Sequence, residues 1–139
     1  MTTITELWAN RANLRETKTV THPAPELGPG EVLMKIEKFG LTANNVSYAI
    51  TGDSIGYWGY FPADDNWGKV PTWGFAHVIE SNCPEIELGE RVWGFFPMAS
   101  HVVLRPGKVI ATRFVDTAER RAALPPMYNA YMRTGPEPV

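Results

Sequence analysis

Short runs in which hydrophobic and polar residues alternate, separated by Gly and Pro, recur along most of the chain. At residues 32–39, Val32, Met34 and Ile36 share one face, and the charged Lys35 and Glu37 share the other. This two-residue period is typical of a half-buried β-strand. The same pattern predicts further strands at residues 2–8, 16–21, 75–81, 90–96, 101–104 and 109–111. Because only turn signals separate the strands at 75–81 and 90–96, these two are expected to be neighbours in a sheet.

Two segments change to a helical period. At residues 44–50 the hydrophobic positions fall on one helical face, and Asn44 or Asn45 is suited to cap the first turn. From residue 116, an acidic first turn and good helix formers predict a second helix that ends before Pro125 and Pro126. A short third helix is predicted at 127–132. The pattern therefore predicts a mostly β fold, a barrel or a sandwich, with short helices.

Composition and charge narrow the class of protein. With 139 residues, of which 44% are hydrophobic and 20% charged, the chain is expected to fold around a single core. The 13 basic and 15 acidic residues nearly cancel, so no nucleic-acid partner is expected. No run approaches the roughly 18 apolar residues of a membrane span, and no signal peptide opens the chain. We therefore expect a cytoplasmic protein with no membrane partner. The one cysteine, Cys83, excludes an intramolecular disulfide and a thiolate cluster.

Aromatic residues are concentrated in one stretch. Seven of the 16 lie between positions 57 and 75, namely Tyr57, Trp58, Tyr60, Phe61, Trp67, Trp73 and Phe75. Such a stretch is too apolar for an exposed loop. The rings suit the wall of a pocket for a flat, apolar ligand, and they suit a domain interface or a core as well. On the first alternative, Trp58 and Trp73 are candidate substrate contacts.

Three ordered runs carry a resemblance to a known family. They are PGEVLMKI at 29–36 with GL at 40–41 and NVSY at 45–48, then LGERVWGF at 88–95, then AALP at 122–125 with Tyr128 and Tyr131. They resemble, in the same order, three parts of the medium-chain dehydrogenase/reductase superfamily, especially its quinone oxidoreductase branch. These parts are the opening barrel strand with its Asp-Val-x-Tyr motif, the Gly-Asp-Arg-Val-x-Gly strand, and the helix that leads to the nucleotide-binding domain. Residues 41–45 and 73–76 are most similar to an uncharacterised bacterial group that carries a domain-of-unknown-function label.

The resemblance implies a fold and a site. The fold is a GroES-like, partly open β-barrel over residues 1–115 and a C-terminal helical connector over 116–139, which leads toward a nucleotide-binding domain that this chain is expected to lack. Tyr48 is placed at the cleft between the two domains, where its phenol is expected to donate a proton to a carbonyl oxygen. The alternative is a buried ring with a satisfied hydroxyl. Asn44 and Asn45 are expected either to orient a substrate carbonyl or the nicotinamide amide, or only to cap the helix.

Two departures from the superfamily limit the chemistry. Thr42 and the run Thr72-Trp73-Gly74 stand where the zinc-dependent branch has its Cys and Gly-His-Glu ligands, and a threonine hydroxyl does not replace a thiolate. The three histidines, His22, His77 and His101, have no regular ligand spacing, so no metal is expected. No Gly-x-Gly-x-x-Gly run is present, so no cofactor is expected in this chain, and NAD(P)H is implied only for a full-length relative.

The sequence therefore predicts the substrate-side barrel domain of a zinc-independent, NAD(P)H-dependent oxidoreductase that acts on an enone, a quinone or another activated carbonyl and is inactive on its own. The alternative is a stand-alone binding module for a small apolar ligand or a protein partner. A co-chaperonin subunit would share the barrel, but its mobile loop is polar, whereas the loop here is aromatic. A barrel without its partner domain exposes an apolar face, so a homodimer is also expected, with Trp58 or Trp67 at the interface.

Overall fold

The computed structural model describes residues 2–50, 57–64, 66–118, 121 and 128–134. In this part of the chain the protein is mostly β, and its main sheet curls into a partly open barrel, which confirms the predicted fold class. The strands are β1 (Thr3–Asn10), β2 (Asn13–Pro23), β3 (Val32–Gly40), β4 (Trp67–Gly68), β5 (Pro71–Ser81), β6 (Arg91–Pro97), β7 (His101–Leu104), β8 (Pro106–Gly107), β9 (Arg113–Asp116) and β10 (Ala130–Thr134). Between β3 and β4 lie the helix α1 (Ala43–Ile50) and a 3-10 turn (Tyr57–Gly59). None of the described helical segments has the length and hydropathy needed to cross a membrane.

The seven-stranded sheet curls because its two outermost strands are consecutive in the chain. The strand order is β7-β3-β5-β6-β10-β9-β8, and neighbouring strands are antiparallel. A single residue, Arg105, joins β7 to β8. The backbone N–H of Arg105 donates to the Asp116 carboxylate (3.1 Å), and its carbonyl accepts from the Thr117 N–H (2.8 Å). One short connection thus brings the two edges of the sheet together, as closure of a barrel requires.

A β-hairpin forms a second sheet beside the barrel. The order of this three-stranded sheet is β2-β1-β4, so β2 is an outer strand, and most of its side chains are exposed. The hairpin is fixed to the segment that connects β6 to β7. The Leu7 N–H donates to the Met98 carbonyl (3.0 Å), and the Ser100 N–H donates to the Thr5 carbonyl (2.8 Å).

The core follows the alternation of β3. Val32, Met34 and Ile36 are buried inside the barrel. Leu33, which points to the opposite face, is also buried, because Ile4 of the hairpin covers it. The barrel is therefore filled by one face of β3, and the hairpin packs on part of the other.

A buried tyrosine brings β10 into the sheet. The Tyr131 ring lies across β6, where a Cβ on Gly94 would be 2.2 Å from the ring, so the strand needs glycine at this position. The Tyr131 hydroxyl donates to the Phe95 carbonyl (2.6 Å) and accepts from Arg121 Nη2 (2.8 Å). Arg121 is itself buried, and its Nε lies 3.0 Å from Asp116 Oδ2. This buried ion pair connects the end of β9 to the ring that anchors β10.

Most predicted strands are confirmed to within a few residues, and β5 and β6 pair as expected. The strand predicted at 109–111 is wrong: these residues connect β8 to β9, because Pro106 pairs with Asp116. The helix predicted at 127–132 is wrong in its second half, since residues 130–134 form β10 and the burial of Tyr131 outweighs helix propensity. The predicted helical connector therefore contains a strand of the barrel sheet. Much of the helix predicted from residue 116 lies outside the described residues, and the domain boundary after residue 115 stays a prediction.

Candidate functional site

The residues predicted to act on a substrate lie on and beside α1, and the first turn of this helix is capped from within. Asn45 Oδ1 accepts a hydrogen bond from the Thr42 backbone N–H (2.5 Å), and the Asn45 N–H donates to the Thr42 carbonyl (3.1 Å). The side chain reaches back as in a capping box, with Asn in the place of Glu or Gln. Thr42 is thus the N-cap, which corrects the prediction of Asn44 or Asn45, because the Asn45 side chain is needed three positions further on.

Asn45 is also bound to the barrel. Its Nδ2 donates to the Pro71 carbonyl at the start of β5 (2.9 Å), and the residue is 2% exposed. Both ends of the amide are therefore occupied by the backbone, and they hold α1 against β5. The predicted substrate contact of Asn45 stays a prediction. The side chain of Asn44 lies outside the described part of the chain.

Tyr48 and Trp73 are brought together by the fold. Trp73 Nε1–H donates to the Tyr48 hydroxyl oxygen (3.1 Å), although the two residues are 25 positions apart. Both side chains are half-buried. The strand period places Trp73 on the face of β5 opposite to the buried Thr72 and Gly74. The predicted catalytic residue and one predicted substrate contact thus form a single bonded pair.

Phe95 of β6 is the centre of a ring cluster that holds this pair. Its ring centroid lies 4.8 Å from that of Tyr128, 5.1 Å from Trp73, 5.2 Å from Tyr60 and 5.6 Å from Tyr48. Tyr48 and Tyr60 approach Phe95 edge-on, at interplanar angles of 80° and 81°, which is a favoured geometry for aromatic pairs. We call these five residues the Phe95 cluster. Their mutual packing restricts the position of the Tyr48 hydroxyl.

Tyr60 lies on the buried side of the Phe95 cluster. It is 0% exposed, and burial raises the pKa of its phenol to about 12, although the nearby Arg121 guanidinium acts in the opposite direction. The Arg121 guanidinium carbon is 5.4 Å from the Tyr60 ring centroid. This phenol therefore stays protonated at neutral pH and is enclosed by the core.

Trp58, the other aromatic residue predicted to contact a substrate, packs elsewhere. It is 6% exposed, and its ring lies against Gly68 of β4, where a Cβ would be 2.3 Å away. The Arg11 guanidinium lies over its other side, 5.7 Å from the ring centroid. Trp67 is covered by the Lys18 ammonium at 4.2 Å. The two rings expected at a homodimer interface are thus packed by residues of their own chain.

The three histidines of the chain are not gathered into a metal-binding group in the described ranges. No group of three His, Cys, Asp or Glu side chains in the described ranges is close enough together to hold an ion. His22 pairs with Glu6 (3.2 Å) and His77 with Glu37 (3.3 Å), so these rings have separate partners. A dinucleotide pyrophosphate is bound by a glycine-rich turn at the start of a helix, and the sequence has no Gly-x-Gly-x-x-Gly run.

Sequence reasoning missed Phe95 as a member of the site, named Tyr60 only as part of the aromatic stretch, and assigned Tyr128 to a connector. The strand period at 91–97 does place Phe95 on the same face as Trp93, and Trp93 stacks beside Trp73 at 6.3 Å. That signal could have identified Phe95 as a neighbour of Trp73. A second feature, an apolar cavity of about 420 Å³ between the hairpin and α1, had no signal in the strand or helix pattern.

Comparison with known proteins yields a matching family model and a solved structure with partial similarity. A family model described as "Protein of unknown function (DUF2855)" matches residues 39–139. No curated protein matches the sequence. Among solved structures, a quinone oxidoreductase from Coxiella burnetii is similar at a TM-score of 0.49 and 17% sequence identity, over 90% of this chain and 40% of that one. The chain thus spans less than half the length of that enzyme.

Proposed function

The chain belongs to the DUF2855 family, and from this premise we propose that it is the substrate-side barrel domain of a zinc-independent, NAD(P)H-dependent oxidoreductase that reduces an enone, a quinone or another activated carbonyl compound. The observation that carries the proposal is the hydrogen bond from Trp73 Nε1 to the Tyr48 hydroxyl. It occurs at the residue that the Asp-Val-x-Tyr resemblance assigns to the cleft between the barrel and the nucleotide-binding domain.

Three features of the geometry support the proposed role of Tyr48 as a proton donor. Its oxygen accepts the indole N–H, and an accepted hydrogen bond stabilises the charge that develops on a phenol oxygen as its proton leaves. The Phe95 cluster holds the ring, so little reorganisation is needed when a carbonyl oxygen approaches. Tyr48 is half-buried, which reduces competition from water. In this proposal Tyr48 donates the proton, and Trp73 is the positioning residue.

In this proposal a separate nucleotide-binding domain would bind the nicotinamide cofactor, because this sequence has no glycine-rich run for its pyrophosphate. When bound, NAD(P)H would supply the hydride. The role of this chain is then to bind and orient the carbonyl compound and to deliver the proton.

The test uses the natural gene product, with any nucleotide-binding domain that its reading frame encodes. We expect oxidation of NADPH or NADH with a panel of quinones and enones, and we expect Tyr48→Phe to lower kcat by about 10²–10⁴-fold with a small change in KM. Trp73→Phe should lower kcat by less. Trp93→Phe is the matched control, since Trp93 stacks on Trp73 but is paired in register with Phe75 and Met132 rather than bonded to Tyr48. An unchanged kcat in Tyr48→Phe would reduce Tyr48 to a packing residue and remove the proposal.

A matched binding experiment addresses the isolated chain. We expect calorimetry with NADH or NADPH to give no measurable heat of binding, because the sequence has no glycine-rich run to bind the pyrophosphate. Micromolar binding would contradict this expectation.

A second candidate function is a stand-alone binding module. The cavity between the hairpin and α1 favours it, since the cavity is large enough for a small molecule and lies apart from Tyr48. A gene product that binds an apolar ligand at this cavity but oxidises no nicotinamide cofactor would favour this function over the first.

A further inference from the structure

The cavity between the hairpin and α1 has the construction of a small-molecule site. Its volume is about 420 Å³, within the range of about 300–1,000 Å³ that is typical of ligand pockets. Its walls come from three places: the β1–β2 hairpin, one face of α1, and the residues that flank β5 and follow β6. The residues that shape it are mainly aliphatic: Leu7, Ala9, Leu14, Val46, Ala49 and Met98.

The chemistry of the wall excludes several ligand classes. No aromatic ring is found among the described residues that line the cavity, so a flat aromatic molecule would find no ring of theirs to stack on. Asn45 contributes an amide, but its two ends are bonded to Thr42 and Pro71, so a strongly polar ligand would be poorly solvated there. A flexible aliphatic chain is the group that such walls bind well.

A charged side chain at the cavity indicates which head group the ligand would carry. Arg15 of β2 is the one charged side chain among the lining residues, and it is exposed. No ion pair between its guanidinium and another described residue is found. A guanidinium matches a carboxylate in charge and in geometry, and it repels a cationic head group. The apolar cavity and the Arg15 guanidinium together favour a ligand with an aliphatic chain and an anionic head group.

We propose that this cavity binds a medium-chain fatty acid, with the alkyl chain between the hairpin and α1 and the carboxylate on Arg15. The site is separate from the Phe95 cluster: the helix presents Asn45, Val46 and Ala49 to the cavity, and Tyr48 is not among the lining residues. The inference therefore does not depend on the oxidoreductase proposal. Fatty-acid binding would give the barrel a site at the outer side of α1, next to the helix that carries Tyr48.

The first experiment varies the ligand. Calorimetry on the wild-type chain with hexanoate, octanoate, decanoate and tetradecanoate should show the dissociation constant falling about fourfold per added methylene, until the chain fills the cavity. Decanol should bind about two- to fivefold more weakly than decanoate, and decyltrimethylammonium should bind least, because only the carboxylate gains from Arg15. Absence of binding across the series up to its solubility would overturn the proposal, as would equal binding of the acid and the cation.

The second experiment varies the protein. Ala49→Met fills the cavity from α1 and should abolish binding of decanoate and decanol alike, whereas Arg15→Gln should weaken decanoate alone. Lys35→Gln, which removes an exposed cation from the barrel sheet, is the matched control and should change neither. Equal losses in Arg15→Gln and Lys35→Gln would assign the effect to net charge and contradict the site.

The third measurement needs no variant and remains informative if Ala49→Met fails to fold. Titration of the wild-type chain with decanoate, followed by methyl resonances, should shift the signals of Leu7, Leu14 and Val46 first. Perturbation centred instead on the rings of Tyr48 and Trp73 would move the ligand to the other site and refute this one.

Discussion

Two tyrosines flank the same phenylalanine, and the fold gives them opposite properties. Tyr48 and Tyr60 both meet Phe95 edge-on, and both lie near Tyr128, with ring centroids 6.2 Å and 5.6 Å away. Tyr60 is fully buried, and its pKa is raised to about 12. Tyr48 is half-buried, and its oxygen accepts a hydrogen bond from Trp73.

The difference indicates that ring contacts alone do not decide whether the hydroxyl of a tyrosine is accessible to a substrate. On the buried side, Tyr60 lies near the Arg121 guanidinium, which is itself paired with Asp116 in the core. These groups stabilise the barrel, and their protons are shielded from a substrate. On the other side, Tyr48 is half-buried and its hydroxyl accepts the Trp73 N–H, which is compatible with the proposed proton transfer.

The largest expected effect concerns the buried side. Arg121→Met should lower the free energy of unfolding by about 3–5 kcal/mol, because the buried Asp116 carboxylate would lose the guanidinium Nε that lies 3.0 Å away. Chemical denaturation measures it. Arg113→Met, an exposed position on β9, is the matched control and should change stability by about 0.5 kcal/mol or less. Equal effects at the two positions would mean that the ion pair does not anchor the barrel.

The next effect depends on pH. Because the pKa of Tyr60 is higher in the folded protein than in the unfolded chain, where it is about 10, the unfolded chain loses this proton first as the pH rises. The stabilisation by the protonated phenol is therefore complete below about pH 10 and is lost between about pH 10 and 12, by roughly 2–3 kcal/mol. Denaturation curves across this range should be flatter for Tyr60→Phe than for the wild type. An equal pH dependence in Tyr60→Phe and the wild type would contradict the raised pKa of Tyr60.

A smaller effect tests the bond on the Tyr48 side. Tyr48→Phe and Trp73→Phe should each reduce stability, and a double-mutant cycle should give a coupling of about 0.5–1.5 kcal/mol for the hydrogen bond. The cycle separates the coupling energy of the hydrogen bond from the stability that is lost when the indole packing is removed. Strictly additive effects would show that the two side chains do not depend on each other in solution.

The smallest expected effect concerns assembly. Self-association remains a proposal, and Trp58 offers a partner little surface because it is 6% exposed, whereas Trp67 is half-buried. The exposed Ile50 on α1 offers another apolar contact, at 67% exposure. If a dimer forms at tens of micromolar in sedimentation, Ile50→Lys should weaken it by about 1 kcal/mol. A monomer at that concentration would contradict the proposed self-association.

The sequence by itself determined the local elements. The period of two at residues 32–39 predicted β3 and its buried face, and the change of period at 44–50 predicted α1, because both signals arise from neighbouring residues. The same residues carried the resemblance that pointed to Tyr48. In the aromatic stretch, Trp58, Tyr60 and Phe61 are buried as expected, although the division of the stretch into the Phe95 cluster and the Trp58 contact was not predicted.

Only the tertiary structure decided the contacts between distant positions. Arginine usually lies at the protein surface. Arg121 is instead buried beside Asp116, because its partners come together only in the folded barrel. Residues 130–134 have a helical local preference, yet they pair as β10, because the Tyr131 ring finds space over Gly94. The bond between Tyr48 and Trp73 joins a helix to a strand across 25 positions. Local patterns indicate which face of an element is buried, but they do not indicate which distant side chain that face contacts. The residues of the site are far apart in sequence, so only the tertiary structure shows that they meet.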